Sequence, residues 1–139
     1  MANNDAQHLN KLIGTLNDGI AFYQAAAMHC ESVEHQNIFR RMASARVAAI
    51  HYLEPFLQDK SDNVHAFGSV LQKMYPEMLA GLNSETDRDL VEKSREVEEI
   101  THKAMCLALQ NVQSETAKSV LIDVYPKINR ECLNLDKAS

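Results

Sequence analysis

The chain has 139 residues, 45% hydrophobic and 24% charged, with a formal net charge of −5. That length and balance describe one ordinary globular domain over residues 1–139. An acidic chain without a basic run argues against a nucleic-acid partner, and no apolar run approaches the ~20 residues of a membrane span.

From Asn4 or Asp5, either able to serve as N-cap, the pattern Leu9, Ile13, Leu16, Ile20, Tyr23, Ala27, Cys30 predicts a helix to about Glu31. Its alternating three- and four-residue spacing keeps these side chains on one face. Gly14 and Gly19 interrupt good helix formers, which in a bundle points to close helix approach. Ser32 to His35 make a turn. A second helix is expected from about Glu34 to Gln58 along Ile38, Met42, Ala45, Ala49, Tyr52 and Phe56, with Pro55 in its last turn. The stretch Asp59 to Asn63 reads as a loop. Val64 to Leu82 predicts a shorter helix kinked at Pro76. Asn83-Ser84 is expected to cap a further helix, which runs to about Val112 along Leu90, Val97, Ile100, Ala104, Leu107 and Ala108. Ser114 caps the last helix, along Leu121, Val124, Ile128, Cys132 and Leu135, with Pro126 inside it. Ser84-Glu85-Thr86 and Ser114-Glu115-Thr116 resemble each other, too briefly to define a repeat.

Four amphipathic helices bury their stripes against one another, so the fold class is an all-α four-helix bundle. The middle segment is long enough to cross the bundle, which places the third long helix parallel to the second; this is the ferritin-like connection. Asp18-Gly19-Ile20-Ala21-Phe22-Tyr23-Gln24 and its alanine run resemble the first-helix signature of a bacterial ferritin-like family of unknown function. Ile38 to Ala43, Gly68 to Leu71, Lys73 to Leu79, and Glu98-Glu99 through Lys103-Ala104 resemble its later segments. The resemblance implies a ferritin-like fold, with an extra kinked helix between the second and third helices, and an ancestry shared with di-iron carboxylate proteins.

A di-iron centre takes a Glu from each of two helices and a Glu-x-x-His from each of the other two. The first ligand would fall near Leu16, the second-helix pair around Ala45–Ala49, and the third-helix ligand at Glu98. The last helix has no His. The standard site therefore reads as degenerate. A non-standard site remains as an alternative: Glu99-Ile100-Thr101-His102 is a Glu-x-x-His, and His51-Tyr52-Leu53-Glu54 is its reverse. With Glu98, these residues would hold a divalent metal such as Fe, Mn or Zn. The competing reading puts Glu98, Glu99 and His102 on a solvated face, with Glu99 paired to Lys103 at i, i+4.

No Ser-His-Asp order, phosphate-binding glycine loop or Cys-x-x-Cys motif occurs, so no catalytic residue and no cofactor is assigned, and no enzyme activity is expected. Cys30, Cys106 and Cys132 form no loop framework; free thiols in a reducing cytoplasm fit best. Met1 to Asp5 lacks the basic and apolar regions of a secretory signal. The expected role is a non-catalytic bundle acting through homo-oligomerisation or protein partners. Phe67, Met74 and Met78 are candidate surface residues for that role.

Overall fold

The computed structural model describes residues 4–57 and 86–138. The expected middle helix over Val64 to Leu82 and the expected cap at Asn83-Ser84 lie outside them. Helix α1 is Asp5–His29, α2 is Val33–Leu53, α3 is Asp87–Asn111 and α4 is Glu115–Ala138. A 3₁₀ turn, Glu54–Phe56, tightens the end of α2 where Pro55 cannot donate. These elements make an all-α four-helix bundle in which α1 and α4 each pack against both α2 and α3.

Each helix starts for an identifiable reason. Ser32 accepts from the His35 amide and caps α2. Ser114 Oγ accepts from the Ala117 amide at the head of α4. The cap of α3 is Thr86, which forms a reciprocal box with Asp89, two residues beyond the expected Ser84. Helix α4 runs through Pro126, which is exposed, so the carbonyl it leaves without a backbone donor lies on the watered face.

Two aspartates tie the hairpins together. The Asp87 carboxylate accepts from the Glu31 and Ser32 amides, at 2.7 and 2.9 Å, and from His35 Nδ1 at 3.1 Å. The Asp5 carboxylate accepts from the Gln113 and Ser114 amides, at 2.8 and 2.9 Å. The first residue of each hairpin thus clamps the turn of the other. The same sequence interval separates Asp5 from Asp87, Glu31 from Gln113 and Ser32 from Ser114. In that register many buried residues fall on buried residues, among them Leu9 on Val91, Gly19 on Thr101, Tyr23 on Met105, Phe39 on Leu121 and Leu53 on Leu135. The bundle is a hairpin repeated, although the Ser-Glu-Thr likeness is out of this register.

The clamps also fix direction. The end of α1 meets the start of α3, and the start of α1 meets the end of α3, so these helices are antiparallel. Since each turn reverses the chain, α2 and α3 run parallel, diagonally across the bundle. Leu57 and Thr86 therefore lie at opposite ends.

The core forms two apolar clusters, one toward each end. One gathers Phe22, Tyr23, Phe39, Met42 and Leu90; the other gathers Leu12, Leu16, Leu53, Met105 and Leu121. On α1 and α4 the expected stripes face inward nearly throughout. On α2 the buried face is rotated: Arg46 and Leu53 point in, while Ala45 is half-buried and Tyr52 is exposed beneath the Lys127 ammonium. On α3 Leu107 is likewise exposed, and Ser94, Thr101 and Met105 face the core.

Burial pushes the Asp87 carboxyl up, but the Glu31 and Ser32 amides and His35 outweigh it and hold the pKa below the ordinary aspartate value. Its contribution to stability is therefore full above that ordinary value and is lost as pH falls through the folded pKa. Asp87→Asn should cost about 1–2 kcal/mol at neutral pH. The gap from the parent should close in acid, below the ordinary aspartate range. Chemical denaturation at both pH values measures this; an unchanged gap would contradict the clamp.

Candidate functional site

Between the two apolar clusters lies a polar layer. Arg46, on α2, has a fully buried side chain, 0% exposed. It faces the core because it stands on the inward register of α2 between Met42 and Ala49. Its Nη2 donates to Glu98 Oε2 on α3 in an ion pair, and its Nη1 donates to the Met42 carbonyl at 3.2 Å. The guanidinium lies over the Tyr23 ring, 4.7 Å from the centroid, a cation–π arrangement.

Glu98 is the hub. Its Oε2 accepts from Tyr23 Oη at 2.6 Å as well as from Arg46, and its Oε1 accepts from Cys132 Sγ at 3.2 Å. All four helices contribute, through Tyr23, Arg46, Glu98 and Cys132. The Glu98 side chain keeps 15% exposure, so the layer is not sealed on the carboxylate side. Burial, reinforced by the Glu98 charge, pushes the Tyr23 phenol well above its ordinary pKa, so it remains a neutral donor. Its ring is held edge-on by Phe22 and stacked by Phe39.

Gly19 makes the room. A Cβ built there would stand 2.9 Å from Arg46 Nε and 3.2 Å from its Cδ. Arg46 Nε itself is buried without a hydrogen-bond partner among the described residues. A buried donor left unmade costs roughly 1–3 kcal/mol, so the layer is held by geometry that the rest of the bundle enforces.

The residues expected as an alternative metal set do not come together. Glu98 is turned into the core toward Arg46. Glu99 points outward and pairs with Lys103 at 3.4 Å, with both side chains about two-thirds or more exposed. His102 is exposed, tilted against the Tyr125 ring, with its Nε2 3.6 Å from Cys106 Sγ. His51 and Glu54 pair with each other at 3.8 Å on the surface near the end of α2, and His51 is 86% exposed. Since α2 and α3 are diagonal, these pairs do not face one another. Among the described residues, no group of three or more His, Cys, Asp or Glu is arranged to hold a metal ion.

Nor does the waist fit a pair of metal ions. The hairpin register sets Leu16 against Glu98 and Ile128 against Arg46. Leu16 and Ile128 are fully buried. The four register-related positions thus carry two apolar side chains, one guanidinium and one carboxylate.

Sequence reasoning identified Glu98 as the surviving family position but passed over Arg46. The signal was available: His35, Phe39, Met42, Arg46, Ala49 and Leu53 keep the three-and-four spacing with the charge included. Tyr23 and Cys132 lie on core stripes of α1 and α4, and they are also donors to Glu98. Cys30 is buried; burial, with Asp87 nearby, pushes its thiol up to about 11.

The fold and this layer define a four-helix bundle with a largely buried ion pair at its waist. Residues 4–111 match the family model described as a domain of unknown function (DUF2383), and the chain belongs to that family. The match takes in Tyr23, Arg46 and Glu98 but ends before α4 and Cys132. No curated protein and no solved structure matches the chain.

Gly→Ala in an open helix stabilises by up to about 1 kcal/mol. Gly19→Ala should instead destabilise by about 1–3 kcal/mol, because Arg46 is pinned and cannot retreat. Thermal unfolding measures it, and a raised Tm would contradict the close approach.

Proposed function

We propose that this chain is a ferritin-like bundle without catalytic chemistry, a cytoplasmic protein that acts through self-association or protein partners. The observation that carries the reading is the engagement of Glu98. The waist of a bundle is where such folds place reactive metals. Here the waist carboxylate has both oxygens taken by Arg46, Tyr23 and Cys132, and leaves neither a ligand set nor a base.

Two further features support it. Parallel α2 and α3, with Leu57 and Thr86 at opposite ends of the bundle, match the connectivity of ferritin-like bundles. No helix of the described residues is long and apolar enough to cross a membrane, and Cys30 and Cys106 carry free thiols, as suits a reducing compartment.

The exterior offers apolar side chains for association. Met28, Val33, Val47, Tyr52, Ile122 and Leu133 are exposed. Ile122 and Leu133 share the outer face of α4, about three turns apart. The earlier candidates Phe67, Met74 and Met78 lie outside the described residues.

Light scattering across a concentration series tests the self-association arm. The expected mass exceeds that of one chain and falls to one chain in the Ile122→Lys/Leu133→Lys double variant, with Tm unchanged. A single-chain mass at every concentration would remove self-association.

A further inference from the structure

We propose that Arg46 is a built-in counter-cation. Its guanidinium holds the place of a metal ion at the waist and keeps metals out. With it removed, Glu98, Cys132 and Tyr23 present a site for one borderline divalent ion such as Zn²⁺ or Co²⁺. The proposal rests on the reading of the waist as closed, and its readout is metal uptake, which fails or succeeds apart from any change in oligomeric mass.

The geometry is that of a cation site. One fully buried positive group sits between two apolar clusters, and the atoms of three helices converge on it or on its carboxylate partner. Glu98 Oε2 is shared between the guanidinium and the Tyr23 hydroxyl at 2.6 Å, while Oε1 faces Cys132 Sγ at 3.2 Å. A carboxylate and a thiolate are both good ligands of zinc-like ions, and a phenol oxygen is a third donor. Gly19 hollows the wall of α1 where the Arg46 stem passes, so truncating Arg46 opens volume beside these donors.

The guanidinium also explains why the native waist is closed. Its positive charge already neutralises Glu98, and a divalent ion beside it would meet a like charge in a place with little water to screen it. Metal entry would also require the Cys132 thiol to lose a proton next to a carboxylate. With Arg46 gone, the ion itself supplies the charge that makes the thiolate favourable.

The test uses untagged full-length protein in a Cys106→Ser background, which silences the surface pair of Cys106 and His102. Co²⁺ is titrated while thiolate-to-cobalt absorption is recorded, and elemental analysis gives stoichiometry. The Arg46-containing protein should take up no cobalt after dialysis, and chelator should leave its Tm unchanged. Arg46→Ala should bind one Co²⁺ per chain with a thiolate band. Cys132→Ser in that variant should abolish the band and weaken binding by more than about tenfold.

Arg46→His, which puts an imidazole ligand in the vacated volume, serves as a second variant. If Arg46→Ala does not fold unaided, Co²⁺ should restore folding to one or both variants. Cobalt bound by the Arg46-containing protein and lost on Glu98→Gln would overturn the proposal. So would folded Arg46 variants that bind none, or variants that cobalt fails to fold.

Discussion

The ion pair between Arg46 and Glu98 is the constraint around which the interior is arranged. Both charges lie inside a bundle whose other core positions are largely apolar. Removing a guanidinium from water costs several kcal/mol even after the protein relaxes. The structure offsets that cost with a carboxylate, a helix carbonyl and an aromatic face. The carboxylate in turn takes a phenol and a thiol. Each partner is on a different helix from Glu98, so the layer sets how the four helices rotate about their axes. Helix α2 is the clearest case. It turns Arg46 and Leu53 inward and leaves Tyr52 outside.

The ends of the bundle are set by a different device, used twice. A first-turn aspartate of each hairpin accepts two amides from the turn of the other. The amides are those of the capping residues Ser32 and Ser114 and of the residues just before them, so one carboxylate satisfies two groups and adds a favourable charge near a helix N-terminus. The two hairpins share this register and much of their burial pattern, but they diverge at the waist. There the paired positions are Leu16 with Glu98 and Arg46 with Ile128. A symmetric scaffold thus carries an asymmetric polar layer. A site built from matching ligands on both hairpins has no counterpart here.

Much of the fold was legible because helix stripes are a one-dimensional signal. The spacing in α1 and α4, the turn at Ser32 and the cap at Ser114 needed no knowledge of neighbours. The parallel course of α2 and α3 was an expectation from the length of the segment between them, read as a helix that crosses the bundle; the contacts of Asp5 and Asp87 with the opposite turns set that course. The hairpin repeat was hidden because its evidence is in capping contacts between distant residues, with few shared residue types. The waist was half legible. Glu98 was marked by a family position, and Gly19 by its place in a helix that did not need it. Arg46 was missed because a charged residue on an apolar register is ordinarily assigned to the surface. Only its partner on another helix makes burial affordable, and that partnership is tertiary. Glu99 with Lys103 was readable for the opposite reason, since both members sit on one helix a turn apart.

The central claim is that Arg46 and Glu98 act as one unit, and a double-mutant cycle measures it directly. Arg46→Met, Glu98→Gln and the double variant would be compared by equilibrium denaturation. Each single variant should lose about 3–5 kcal/mol, since each leaves a buried charge or dipole without its partner. The double variant should be far less destabilised than the two losses combined, with a coupling of about 1–3 kcal/mol or more. Additive losses, or single losses below about 1 kcal/mol, would contradict the account and place the cohesion of the bundle in its two apolar clusters.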